Sequence, residues 1–214
     1  EGPEVNSVVL LMQVYAGLVS AARGEPVEAL PATPTARGNR SDVMIDIVDQ
    51  YLEAAVARAV GNFSDAARLT AMVAVSFADV SGIDDDFPTF WLTSIDDALV
   101  IGDVAGAEEL LALVTSRPNG HVVPFVRCHL PRVRALINAA AGKHDGVERD
   151  FIAAAQSLEA FGARYWFART LLEHAEWLIA KGRAIEAPAL AAHAARIFEE
   201  LSAPPWFDRA TAVT

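Results

Sequence analysis

The chain predicts an all-α fold of antiparallel helix pairs, stacked one on the next, and three observations carry that expectation. The first is a recurring phrase: Gly, four residues, then a small apolar residue. It occurs as Gly61 to Ala66, Gly102 to Ala107, Gly142 to Val147 and Gly182 to Ala187, with the glycines 41, 40 and 40 residues apart. A fifth copy, Gly24 to Ala29, lies 37 residues upstream. A fixed period of this size marks a stacked-repeat protein. The second observation is composition: apolar residues make up 53% of 214 residues, alanine and leucine are abundant, and β-branched runs bounded by turn residues are few. That balance favours helix. The third lies seven residues before each glycine, where the chain has Gly17, Ala54, Ile95, Ala135 and Ala175, small in four of five copies. A small residue there and another five after the glycine let two backbones approach at a tight turn. The glycine supplies the left-handed conformation that folds the second helix back.

Taken in order, residues 5–23 predict a first helix, with Val8, Leu11, Met12, Tyr15 and Leu18 on one face. Pro26, Pro31 and Pro34 then truncate the second half of that repeat. Ser41 caps a helix over 42–60, whose inward face holds Met44, Ile47, Val48, Tyr51, Leu52, Ala55, Val56 and Ala59. Ser64 caps its partner over 65–80. Residues 81–86 form a loop, followed by helices over 87–101 and 104–116 and a turn over 117–121. A helix over 123–141 contains Pro131 and is expected to kink there. Helices over 145–161, 164–181 and 183–202 complete the array, and Pro204-Pro205-Trp206-Phe207 begins a short cap. The repeats are 5–40, 41–81, 86–118, 122–161 and 163–202, with 203–214 as cap, in one continuous domain over 1–214.

Charge and cysteine content narrow the function. Net charge is -11, with 18 acidic and 5 basic side chains in residues 1–110. An acidic first half argues against a direct nucleic-acid surface. No apolar run is long enough for a membrane span. One cysteine, Cys128, allows no internal disulfide and fits a reducing cytoplasm. The opening Glu1-Gly2-Pro3 lacks Met and suggests a piece of a longer protein.

Four polar groupings each carry two readings. Asp84-Asp85-Asp86 can recruit a divalent cation or cap the helix that follows; three adjacent carboxylates without a return ligand favour capping. Cys128 and His129 can form a nucleophile pair, or be a buried cysteine beside an unrelated ring; adjacent helical residues point apart, which favours the second. Segment 117–149 gathers Arg117, His121, Arg127, His129, Arg132, Arg134, Lys143, His144 and Arg149. It reads as an anion or acidic-partner site around Arg127, His129, Arg132 and Arg134, or as a solvated basic edge. Arg164, Tyr165, Trp166, Arg169, His174 and Trp177 line a partner-binding groove or belong to the core.

The small–Gly–Ala grammar resembles the tetratricopeptide repeat, with a period longer than the usual ~34 residues. That resemblance implies a right-handed superhelix with a concave binding face. The last fifty residues resemble something narrower. Phe161-Gly-Ala-Arg-Tyr-Trp-Phe-Ala-Arg-Thr170, Glu176-Trp-Leu-Ile-Ala-Lys-Gly-Arg183 and Ala195-Arg-Ile-Phe-Glu-Glu-Leu-Ser-Ala-Pro-Pro-Trp-Phe-Asp-Arg-Ala210 look like the C-terminal helical repeats of bacterial signalling ATPases. Those repeats follow the ATPase module in LuxR/MalT-type regulators and in actinobacterial ATPase-fused class III adenylate/guanylate cyclases. The resemblance implies a non-catalytic regulatory interaction module that binds a protein partner or its own upstream domains. It carries over no catalytic residue, cofactor or metal. The alternative is a sensor that holds a small-molecule effector between helix pairs.

Overall fold

The computed structural model describes residues 40–213, with Ala16 as an isolated helical position upstream. The described residues are helical without strands, and neighbouring helices pack as consecutive pairs, as the period requires. The helices are α1 (Arg40–Ala59), α2 (Phe63–Val80), α3 (Phe87–Val100), α4 (Val104–Thr115), α5 (Pro124–Ala140), α6 (Val147–Phe161), α7 (Arg164–Ala180), α8 (Ala187–Glu200) and α9 (Pro204–Thr211). Short 3-10 turns occupy Asn119–His121 and Ala184–Glu186. The expected helix at 5–23, the prolines after it and the Gly24 copy of the phrase lie outside the described residues.

Contacts gather the described residues into two compact units, 40–123 and 124–213. The sequence reads as one array; the boundary between units falls at the link before α5. The first unit holds two helix pairs, α1/α2 and α3/α4. The second holds α5/α6 and α7/α8, with α9 packed on α8.

The repeat phrase is the packing node of each pair. Ala54, Ala66, Ile95, Ala107, Ala135, Val147, Ala175 and Ala187 are all 0% exposed. Gly61, Gly102, Gly142 and Gly182 all have φ between 70° and 79°. The turn closes identically each time: Asn62 N donates to Ala57 O and Gly61 N to Arg58 O, and Arg183 N to Leu178 O and Gly182 N to Ile179 O. These paired bonds satisfy the last carbonyls of the first helix. The same closure ends α8, where Ala203 N donates to Phe198 O and Ser202 N to Glu199 O. There the left-handed position, at φ 53°, is Ser202 rather than glycine. A side chain in that conformation costs about 1–2 kcal/mol. Ser202→Gly should therefore raise stability by about 0.5–1 kcal/mol, after subtracting the added freedom of the unfolded chain. A urea midpoint that does not rise would refute this.

Several expected boundaries move for local reasons. Asn62, not Ser64, caps α2: its side-chain oxygen accepts the Asp65 N–H, so Ser64 lies inside the helix. Ser41 likewise lies within α1, and of the row placed inward on that helix Ala55, Val56 and Ala59 are exposed, while Ile47, Val48 and Tyr51 are buried. α6 starts at Val147, two residues later than expected, because Gly146 takes φ 82°. The last long helix starts with a 3-10 turn, and α8 proper opens with Pro188 in its first turn, where a missing N–H costs nothing. α5 continues through Pro131 from Pro124 to Ala140. The cap at 204–211 is a two-turn helix with Pro204 and Pro205 at its start.

Aromatic side chains fill the first core. Tyr51 meets Phe90 edge-on at 5.1 Å, Phe77 lies 4.9 Å from Phe90, and Phe87 stacks on Trp91 at 6.1 Å. In the second unit Leu158, Leu172, Ala194 and Phe198 are fully buried and continuous with Ala203 and Ala210, which tie α9 down.

Candidate functional site

In both units one set of polar contacts recurs at about one repeat and joins first helices to first helices. In the first unit Arg58 on α1 holds Asp97 on α3 through two bonds of 2.9 and 2.6 Å, across 39 residues. Tyr51 and Thr93 pair at 3.0 Å between the same helices. In the second, Arg132 on α5 grips Glu173 on α7 across 41 residues, and Arg209 on α9 grips Glu176 on α7 across 33. By this criterion α9 is the first helix of an incomplete further repeat.

The second unit carries the candidate site. Trp166 on α7 is its centre. Arg132 and Arg169 each place a guanidinium 5.1 Å from the Trp166 ring. Arg169 also lies 4.9 Å from the Trp206 ring, and Arg209 lies 5.3 Å from it. The result is an alternating ladder, Arg132–Trp166–Arg169–Trp206–Arg209, across α5, α7 and α9. Each cation over a ring adds about 0.5–2 kcal/mol, more where water is excluded. Tyr165 packs edge-on against Trp166 and Trp206, at 5.3 and 5.8 Å, and against Phe198.

One carboxylate organises the cations. Glu173, 7% exposed, accepts Arg132 Nε at 2.7 Å and Arg132 Nη2 at 2.6 Å on its two oxygens. It also accepts Arg169 Nε at 2.9 Å. Burial pushes the Glu173 carboxyl up, but Arg132 and Arg169 outweigh it and hold the group below its usual range.

His129 sits at the buried end of the ladder, 0% exposed, edge-on to Phe125 at 4.7 Å and to Trp166 at 4.8 Å. Neither ring nitrogen hydrogen-bonds another described residue. Burial, reinforced by Arg132 and Arg169, lowers its pKa to about 2. The ring is therefore neutral at every ordinary pH and packs as an aromatic. An unfolded histidine titrates near 6.5, so the unfolded state binds the extra proton below that value. This contribution to stability is complete above pH ~6.5 and is lost at roughly 1.4 kcal/mol per pH unit as pH falls below it. His129→Phe should flatten that slope between pH ~6.5 and ~4.5, and raise stability by about 1 kcal/mol by removing two buried, unpaired nitrogens. Equal slopes in variant and parent would disprove the assignment.

The seven residues singled out from the sequence divide accordingly. His129, Arg132, Tyr165 and Arg169 come together around Trp166. Arg127 and Arg134 are exposed on α5, and Arg164 pairs with Glu200 at the surface. Trp177 lies apart from the ladder, against Phe151 and His174. Sequence reading missed Glu173, Glu176, Trp206 and Arg209. The signal was present: Glu173 lies 41 residues after Arg132 and four after Arg169, one repeat and one helical turn. Cys128 is half-buried and its thiol is pushed up by burial, with Arg127 opposing. Of the three adjacent aspartates, Asp84 serves the start of α3, accepting the N–H groups of Asp86 and Phe87. Among the described residues no three or more His, Cys, Asp and Glu side chains are placed to hold a metal ion. Nor is any described helix long and apolar enough to cross a membrane.

Comparison with protein-family models, with curated proteins and with solved structures finds no match to this chain.

Proposed function

We propose that this chain is a non-catalytic interaction and regulatory module of a larger cytoplasmic signalling protein. The observation that carries the reading is the node. Four described pairs bury the same two crossing positions, small apart from Ile95 and Val147, and close on the same glycine turn. A node of that kind keeps the scaffold constant while the outward helix faces vary. Stacked repeats of this build present extended surfaces to partners. The ladder fits the same reading, because its guanidiniums are directed at carboxylates and rings of the chain itself. It stiffens α5, α7 and α9 as a platform. The resemblance of the last fifty residues to the repeats of bacterial signalling ATPases supplies the context: the partner is another protein or an upstream domain of the same chain.

A second reading, an effector sensor, has one observation in its favour. A half-open groove of about 240 Å³ in the second unit is lined by Arg164, Phe167, His193, Arg196, Ile197 and Glu200. Its size is below the usual range for small-ligand sites, which places this reading second. The two separate in one pair of experiments. An interaction module retains a specific protein when used as bait, and its melting point does not respond to a metabolite library. A sensor gains thermal stability with one compound class. A metabolite-dependent rise without any retained protein would sink the interaction reading.

A further inference from the structure

The chain holds two lysines against 15 arginines, and both lysines flank glycine turns of the second unit. Lys143 follows Gly142 in the turn between α5 and α6, and Lys181 precedes Gly182 at the end of α7. The turn geometry does not ask for them. The four repeat glycines take φ between 70° and 79°, yet the residue before the glycine is Val60, Ile101, Ala141 or Lys181. A fixed positive charge does not ask for them either, since arginine holds Asp97, Glu173, Glu148 and Glu176. What lysine offers and arginine does not is an amine that can lose its proton and attack.

Lys181 has a partner for that proton. Its Nζ lies 2.6 Å from Nε2 of His144, across 37 residues of chain. An ammonium has no lone pair, so it donates to Nε2; a free amine would accept from the Nε2–H instead. In both cases the two nitrogens share one proton. The backbone of each residue is held in place. Lys181 N donates to Trp177 O and Leu178 O, and His144 O accepts from Val147 N. Both residues are exposed, so a small reagent reaches the contact from solvent. The carboxylates at the starts of the following elements, Glu148 and Glu186, are held by Arg183. Among the described residues no carboxylate pairs with Lys181. A carboxylate stabilises an ammonium, whereas an imidazole can take its proton.

An exposed nucleophile within hydrogen-bond reach of a base is the arrangement that acyl transfer needs. We infer that Lys181 is an acylation site, that His144 is its base, and that the substrate is a small activated acyl group. The nitrogen lone pair forms the N–C bond. The bond from the acyl carbon to its leaving group, a phosphate oxygen or a thioester sulfur, breaks with its electron pair on that group. The ammonium gives up two protons, one to free the lone pair and one as the amide forms. His144 Nε2 takes each in turn and passes it to water. The product is a neutral amide, so acylation deletes one positive charge from the edge where the Gly142 and Gly182 turns meet. The claim goes beyond the interaction-module reading and stands on this contact alone.

The test incubates the full chain with acetyl phosphate or with acetyl-coenzyme A and follows amide formation at each lysine by peptide mass spectrometry. Lys143 is the internal reference. Lys181 should acylate about tenfold or more faster than Lys143. The donor that gives the larger ratio identifies the acyl source. In guanidinium chloride the two lysines should react at one rate, because the contact is tertiary. His144→Gln keeps a hydrogen-bond acceptor in reach but not a base. It should slow Lys181 by about tenfold or more and leave Lys143 unchanged. Its circular dichroism should match the parent, because His144 is exposed. Lys181→Arg should remove the fast site. The inference is overturned if both lysines react at equal rates in the folded parent with both donors, or if the preference survives unfolding. It is also overturned if His144→Gln acylates Lys181 as fast as the parent does. Equal slowing of Lys181 and Lys143 in that variant would overturn it as well, since access rather than a base would then set the rate.

Discussion

Glu173→Ala should destabilise the protein by about 3–5 kcal/mol, far more than an ordinary surface change. The reason is asymmetry. Arg132 is 0% exposed, and its guanidinium places two bonds of 2.7 and 2.6 Å on the Glu173 carboxylate, with Arg169 adding a third at 2.9 Å. Removing the carboxylate leaves two cations beside each other in a poorly solvated space over Trp166. Removing charge from both sides is a different experiment. Arg132→Met with Glu173→Leu should recover most of the loss, because well-packed apolar residues replace a buried pair at little cost. Denaturant unfolding of the two single variants and the double variant measures the coupling directly. The pH dependence supplies a second signature. Because Arg132 and Arg169 hold the Glu173 carboxyl below its usual range despite burial, its contribution is complete above about pH 4.3, the unfolded value. It is lost as pH falls from there through the folded value. The parent should therefore lose stability below pH ~4 more steeply than Glu173→Gln. A Glu173→Ala variant within about 1 kcal/mol of the parent would mean the ladder is not an energetic element.

Trp91→Ala should cost about 3–5 kcal/mol in the first unit, by a different route. The side chain is fully buried, stacks on Phe87 at 6.1 Å, and donates its indole N–H to Leu110 O at 2.8 Å. Truncation opens a cavity between α3 and α4 and removes a hydrogen bond from a buried carbonyl. Trp91→Phe separates the two losses: it keeps most of the volume and removes only the bond, so about 1–2 kcal/mol is expected. Thermal or urea unfolding followed by far-ultraviolet circular dichroism reads both. If Trp91→Phe costs as much as Trp91→Ala, the hydrogen bond dominates and the packing account of this core is wrong.

The helical architecture was legible because its signals are short-ranged. A glycine that must take positive φ, a proline that has no N–H and an apolar row at three- and four-residue steps each act within a turn or two of chain. Errors were of the same scale. Ser64 and Asn62 are two residues apart and both can cap, and only geometry shows that the Asn62 oxygen meets the Asp65 N–H. Gly146 looked like part of the phrase and instead delays α6 by a turn-forming φ of 82°. The candidate site was half legible. His129, Arg132, Tyr165 and Arg169 stand out in the sequence as polar or aromatic types, but what faces each of them is set by a different helix. Read alone, a basic run on α5 reads as an exposed surface. In the fold it splits by helical face: Arg127 and Arg134 point outward, while His129 and Arg132, three residues apart, point into α7.

The amino-acid sequence by itself determined the period, the pairing of helices and the small residues at each crossing, since steric demand at a tight turn admits few residue types. Only the tertiary structure decided which charges are buried and which apolar residues are not. Whether an arginine meets water or Glu173 depends on a helix 41 residues away, and the stacking of one pair on the next places it there. For the same reason nothing in the sequence marks Val60 and Val100 as surface residues, yet they are 75% and 63% exposed.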